Sequence, residues 1–213
     1  LPFDNKSEFQ VVVDMPAGTS LERTAAVLHE MGGYLATVPE VADYQAFAGT
    51  SAPINFNGLV RQYYLRRGGD VGDLQVNLVD RAHRDDQSHA IATRVRPALT
   101  KIADAHGARV KVVEVPPGPP VLSPIVAEIY GPDDAGRIAV ARAVAAAFRK
   151  QAGVVDADQS AIADAPRWVV NVDRSKAALA GVRHDDVVAT LRTGLAGEDV
   201  TYLHDQSKYP AAV

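Results

Sequence analysis

Six histidines, His29, His83, His89, His106, His184 and His204, are the side chains best suited to hold a metal or move a proton near neutral pH. A zinc enzyme needs two of them one helical turn apart with a third ligand to match. None of the six makes an i, i+4 pair of that kind. His83-Arg84-Asp85-Asp86 reads instead as a polar lead-in to a helix, its acids favouring the positive end of the dipole. Asp133-Asp134 and Asp185-Asp186 also stand at helix starts, where capping accounts for both pairs. Gly68-Gly69-Asp70 and Gly72-Asp73 make a turn rather than a G-x-G-x-x-G phosphate loop, and Ser88-His89 lacks the setting of a nucleophile and its base. The absence of cysteine excludes disulfides, thiol catalysis and Cys-type zinc sites. These residues predict a non-enzyme with no metal and no cofactor.

Aromatic residues are the other group that stands out, because the chain is only 6% aromatic. Phe56, Tyr63 and Tyr64 fall within residues 48–72, a connector between two strands, and Phe47 stands just before it. Connectors of that length are uncommon unless they are functional. Two readings stay open: a short helix whose Leu59, Tyr63 and Tyr64 pack on the sheet, or a loop whose aromatics touch a ligand. Arg61, Arg66 and Arg67 make a basic spot there that reads as a solvated loop.

The elements that must position these residues recur in one order. Phe9 to Met15, with Val11, Val12 and Val13, reads as a strand. Thr19-Ser20-Leu21-Glu22 has the capping-box pattern, Thr19 capping and Glu22 reaching back. Behind it Leu21, Thr24, Leu28, Met31, Leu35 and Val38 recur at helical spacing. Pro39 ends that helix, and Val41 to Phe47 is extended again. A second unit has a strand at Leu74–Val79, a helix from Ser88 with Ile91, Val95, Leu99 and Ile102 on one face, and a strand at Val110–Val115. Pro97 either kinks that helix or marks a break. A third has a strand at Ile125–Tyr130, a helix capped by Asp133 and stopped at Gly153, and an extended run from Val154. Trp168 to Val172 reads as one more strand, followed by a tail of Ser175–Gly181, a short helix around Asp185–Leu195, and Val200–Leu203.

Strand–helix–strand at this spacing is the βαβ crossover. Two in tandem predict an α+β, ferredoxin-like split-βαβ sandwich, with helices on one sheet face and the other face free to pack on a neighbour. Pro116-Pro117-Gly118-Pro119-Pro120 can enter neither a sheet interior nor a helix. The reading is therefore one complete sandwich over residues 1–122 and a partial one over 123–182. The unfinished second body and the opening Leu1-Pro2 predict a piece of a longer chain.

The 213 residues are 47% apolar and 23% charged, with a mean hydropathy of −0.06, as in ordinary soluble globular proteins. No apolar run approaches the ~18–20 residues of a membrane span. A net charge of −4 gives little reason to bind nucleic acid or an anionic lipid surface.

Several motifs, in order along nearly the whole chain, carry a resemblance. Leu-Pro-Phe-Asp-Asn-Lys-Ser-Glu-Phe (residues 1–9) and Met15-Pro16-Ala17-Gly18-Thr19-Ser20-Leu21-Glu22 resemble the stretch after the first membrane helix of the C-terminal half of resistance-nodulation-division (RND) transporters, of the AcrB/AcrD/AcrF-like kind. Pro116 to Pro124 with Glu128-Ile129-Tyr130-Gly131 looks like the join between two porter subdomains there. Val172-Asp173-Arg174-Ser175-Lys176-Ala177, closing on Gly181-Val182, is similar to the step before the docking subdomain.

The resemblance implies that 1–122 is the first porter subdomain of the C-terminal half. Residues 123–182 would be the first half of the second, and 183–213 the start of the docking subdomain. It implies the periplasmic portion of a bacterial inner-membrane efflux pump driven by protons, its proton carriers lying in membrane segments elsewhere. The implied assembly is a homotrimer with a periplasmic adaptor and an outer-membrane channel. By position, residues 48–72 match a loop that borders the drug pocket of multidrug members, which makes Phe47, Phe56, Tyr63 and Tyr64 the candidate substrate-binding residues. Heavy-metal exporters of the superfamily use a methionine cluster, and only Met15 and Met31 exist here. The expected cargo is thus a hydrophobic or amphiphilic small molecule. A heavy-metal-exporting member and a stand-alone ferredoxin-like small-molecule-binding module are the alternatives. An RNA binder lacks its aromatic-basic strand motif, and an acyl-phosphate hydrolase lacks an Arg in Pro16-Ala17-Gly18-Thr19.

Overall fold

The computed structural model describes residues 4–53, 59, 62–115, 123, 125–161, 168–204 and 211–212. The chain divides into two compact units, Leu1–Ala165 and Pro166–Val213.

In the first unit, β1 (Glu8–Asp14), α1 (Leu21–Leu35), β2 (Val41–Thr50), β3 (Arg67–Leu78), α2 (Ser88–Ala105) and β4 (Arg109–Val113) follow one another. The four strands form one sheet in the order β2-β3-β1-β4, every neighbouring pair antiparallel. Each helix connects two strands that are not neighbours, which is the split-βαβ, ferredoxin-like arrangement the periodicities predict.

The pleat sorts the side chains. Phe9, Val11 and Val13 of β1, Leu74, Val76 and Leu78 of β3 and Val112 of β4 join the helical residues Val27, Leu28, Met31, Leu35, Ile91, Val95 and Leu99 in one core. The helix stripes are those the spacing predicts, except that Leu21 is 46% exposed. Pro97 lies inside α2 without ending it, so the helix runs through a position that supplies no N–H.

The start of α1 departs from the capping box. Ser20 is the N-cap residue and makes no side-chain cap bond. Thr19 turns away and donates its hydroxyl to the Pro16 carbonyl at 2.6 Å, closing the preceding turn instead.

The sheet face away from the helices is not free, contrary to expectation. Gln10, Val12, Asp73 and Val113 on it are buried. Two segments reach it: the connector after β2, through Ala52 and Arg66, and residues 156–158. Asp158 pairs with Arg109 and Lys111 of β4, and Asp156 pairs with Arg96 of α2.

Beyond the sandwich, α3 (Asp134–Lys150) begins where expected, its N-cap Asp133 accepting the Gly136 N–H at 2.7 Å. It ends at Lys150, and Gly153 takes a left-handed conformation just beyond, with φ of 81°. Residues 125–130 do not form the expected strand, and Ile125, Val126 and Tyr130 are exposed. The proline-rich expectation at 116–120 lies outside the described residues.

The second unit contains α4 (Arg174–Leu179), α5 (His184–Ala196) and a two-residue pairing of β5 (Tyr202–Leu203) with β6 (Ala211–Ala212). Asp173 caps α4 by accepting the Ser175 and Lys176 N–H groups. Asp185 and Asp186 lie in the first turn of α5 behind the N-cap Arg183, so they act on the dipole and do not cap. The expected strand at 168–172 is also absent, and Trp168 is 91% exposed. Residues 125–130 and 168–172 fail for the same reason. Apolar, β-branched composition favours extended backbone, but a strand exists only where a second edge supplies hydrogen bonds. Among the described residues no helix is long and apolar enough to cross a membrane.

Candidate functional site

The candidate site is the connector between β2 and β3, and it begins with the register of the sheet. β2 runs to Thr50 and β3 starts at Arg67, so the connector between the two strands is residues 51–66, shorter than the sequence suggests. Pairing sets Phe47 of β2 opposite Asp73 of β3, and Val12 of β1 opposite Asp73 on the other side. Asp73 therefore stands in the middle of the face away from the helices, where it has no exposure.

A carboxylate buried that deeply must be paired or it destabilises the fold. Three donors meet it. The Ala52 backbone N–H reaches Oδ2 at 2.8 Å and the Gln10 side-chain amide reaches the same oxygen at 3.0 Å. The Arg66 guanidinium donates to Oδ1 through Nη1. Through Nη2 the same guanidinium reaches the Val13 carbonyl and Asp14 Oδ1, each at 2.6 Å. The planar fork of arginine suits this divergent set of oxygens, and a lysine ammonium does not. Burial pushes the Asp73 carboxyl above its ordinary range, while the Arg66 charge, the Ala52 N–H and the Gln10 amide pull it back. All three neighbours present N–H groups, the set that an ionised carboxylate accepts.

Arg66 also lies over the Tyr63 ring, 5.8 Å from its centre, as cation and ring face attract. Tyr63 opens a single 3₁₀ turn, Tyr63–Leu65, entered through Gln62 in the left-handed region with φ of 56°. Within that turn Tyr63 is half-buried, whereas Tyr64 and Leu65 are exposed at 37% and 61%. Phe47 is half-buried beside Asp73 in the sheet. Thus two of the four aromatic candidates flank one ionic node, Tyr63 through Arg66 and Phe47 through Asp73. Tyr64 follows next in the chain and faces solvent. Phe56 lies outside the described residues.

The basic spot is corrected at Arg66, and Arg61 lies outside the described residues. Arg67 is exposed, as a solvated loop requires, but the Arg66 side chain is only 15% exposed and holds two carboxylates. Sequence reasoning missed Asp73, Arg66, Gln10 and Ala52 as a group. The one local signal was an acid inside a strand whose neighbours Leu74 and Val76 are apolar.

Both methionines lie in the core, Met15 at 7% exposure and Met31 at none. Among the described residues, no group of three or more His, Asp or Glu side chains is placed to hold a metal ion.

No curated protein matches the chain. The description of one family, AcrB/AcrD/AcrF, matches residues 1–212, from the first strand's approach to the last described residue. A match over that span takes in the sandwich, the ionic node and the second unit together, and the chain belongs to the AcrB/AcrD/AcrF family of RND transporters.

Proposed function

We propose that this chain is the extracytoplasmic porter part of a proton-driven efflux pump, and that Phe47, Phe56, Tyr63 and Tyr64 border the path of a hydrophobic or amphiphilic organic cargo. In this reading residues 1–122 are the first porter subdomain of the C-terminal half. Residues 123–182 begin the second, and 183–213 begin the docking subdomain. The whole transporter works as a homotrimer with a periplasmic adaptor and an outer-membrane channel. The chain itself catalyses nothing and takes no part in proton transfer, which belongs to membrane segments. It conducts the cargo on the periplasmic side of the inner membrane.

The observation that carries the reading is an aromatic-bearing connector, anchored on a buried ion pair, in a member of a transporter family. Amphiphilic molecules favour such surfaces, because aromatic rings offer apolar area together with a polar edge. An organic cargo is favoured over a soft metal ion because the only two soft ligands in the sequence, Met15 and Met31, are packed in the core.

The test uses the transporter that carries this chain. Loss of one aromatic contact, about 0.5–1.5 kcal/mol, raises the half-saturating cargo concentration about 2- to 10-fold. Tyr64→Ala and Phe47→Ala are therefore expected to lower resistance to hydrophobic and amphiphilic compounds at unchanged protein abundance. Resistance that stays at the wild-type level across a broad compound panel removes both residues from the path.

A further inference from the structure

The connector between β2 and β3 has two ends, and both are fastened to one side chain. At its beginning the Ala52 N–H donates to Asp73 Oδ2 at 2.8 Å. At its end Arg66 donates to Asp73 Oδ1, and continues to Asp14 and to the Val13 carbonyl on β1. Ala52 and Arg66 are thus joined by a carboxylate that belongs to neither end of the connector, standing on the adjacent strand and fully buried. Gln10 of β1 fixes that carboxylate from a third direction at 3.0 Å.

The fastening extends to the aromatic side. Arg66 is the residue that Tyr63 stacks under, and Gln62, which leads into the Tyr63–Leu65 turn, holds a left-handed backbone that a non-glycine residue adopts only at a cost. A conformation of that kind persists when its surroundings hold it. The Arg66 side chain bonds into the sheet by three separate contacts, to Asp73, Asp14 and the Val13 carbonyl.

We propose that Asp73 is a clasp that ties Ala52 to Arg66, the two ends of the connector, and, through Arg66, fixes how Tyr63 and Tyr64 are presented, so that Asp73 and Arg66 are positioning residues for cargo selection. The inference rests on the reading that this loop meets cargo, but the clasp has its own observable. Opening it frees the loop backbone whether or not the loop touches cargo. A positioning role also differs from a structural one in kinetics. A loop presented in many conformations binds more weakly in proportion to the fraction that is competent, while the transport cycle that follows is untouched. Apparent KM rises and kcat does not fall.

The experiment uses the full transporter carrying Asp73→Asn, with Arg66→Lys as a milder second variant that keeps the charge and loses the fork. Tyr64→Ala is measured beside them, and abundance is checked throughout. Hydrogen exchange of the amides in 51–66 is read first, then transport of one bulky and one small amphiphile. The clasp is expected to show as at least tenfold faster exchange within 51–66, with β1 and α2 unchanged. KM is expected to rise about 3- to 10-fold at constant kcat, unequally for the two cargoes. Unchanged exchange in Arg66→Lys and Asp73→Asn overturns the clasp. A fall in kcat or in abundance with KM unchanged overturns its positioning role. Faster exchange with transport unaltered in every variant, Tyr64→Ala included, keeps the clasp as a loop closure and rejects the cargo reading on which its role depends.

Discussion

Gly32 and Gly33 are adjacent in α1, and the same substitution acts on them with opposite sign. A methyl group at Gly32 would lie 2.4–2.6 Å from the ring and hydroxyl of Tyr44 on β2, whereas at Gly33 it meets nothing within 4 Å. Glycine inside a helix costs roughly 0.5–1 kcal/mol relative to alanine, so Gly33→Ala is expected to stabilise by about that amount. At Gly32 the same gain is opposed by overpacking worth about 1–3 kcal/mol, because α1 must move off the sheet or Tyr44 must leave its site. Gly32→Ala is therefore expected to be destabilising in net, and urea unfolding of the two variants side by side measures both. Two variants that shift the midpoint in the same direction contradict the close approach of helix and sheet. At this scale the sequence said little: two glycines in a row look alike until Tyr44 is brought against one of them by the sheet. The clasp was hidden in the same way. Ala52, Arg66 and Asp73 meet because β3 folds back antiparallel on β2, and no periodicity records that meeting, whereas the aromatics of the same loop stood out by their rarity alone.

At the scale of elements, the segment after α3 is held to the sandwich by charge. Arg96 of α2 grips both oxygens of Asp156 at 2.5 Å and also donates to the Val112 carbonyl at 3.0 Å. Asp158 meets Lys111 and, at 3.2 Å, Arg109. Burial alone pushes the Asp158 carboxyl up, but the Lys111 hydrogen bond and charge, the Gln159 N–H and the Arg109 charge together outweigh it. The group is held below its ordinary value of 3.8. A carboxyl depressed by folding contributes stability that is complete above that ordinary value and is lost as the pH falls through the depressed one. Asp158→Asn is thus expected to cost about 1–2 kcal/mol near neutral pH, and the gap to wild type is expected to narrow from about pH 4 downward. Denaturant titrations at a series of acid pH values test it, and a gap that stays constant to the lowest pH rejects the clamp. Elements with a signal of their own were legible in the sequence: α1, α2 and α3 from their stripes, β3 from apolar alternation, and β1 and β4 from their β-branched residues. Residues 125–130 and 168–172 carry the same composition yet are no strands, because composition chooses an extended backbone and only a partner edge makes it a sheet. The segment at 156–158 had no pattern to betray it, since two aspartates in an irregular run find their partners only when β4 presents Arg109 and Lys111.

At the scale of the whole molecule, burial is concentrated. Among the described residues every buried side chain lies between Phe9 and Val113 except Ala145 of α3, and the second unit has none. Stability follows burial, because apolar area removed from water is the main favourable term and is set against the entropy of ordering each residue. The four-stranded sheet and its two helices therefore hold the stability of the chain. In the second unit, α5 half-buries Val187 and Leu191 and pairs Asp185 with its neighbours Arg183 and His184, and isolated helices shorter than about 12–15 residues are marginal in water. Leu195, Leu179 and Val200, all more than 80% exposed, add nothing from burial. Amide exchange turns this into a measurement, since a residue that opens only with the whole domain exchanges at a rate set by global stability, and one that frays exchanges at a rate near that of an unfolded peptide. For a sandwich of about 5 kcal/mol the two differ by more than about a thousandfold. In the 213-residue chain, the central strands β1 and β3 are expected to exchange at least that much more slowly than α5, and to lose protection in a single step with urea while α5 changes little. Protection of α5 equal to that of β1 would mean that its apolar side chains are covered in solution, and that the second unit draws on burial of its own.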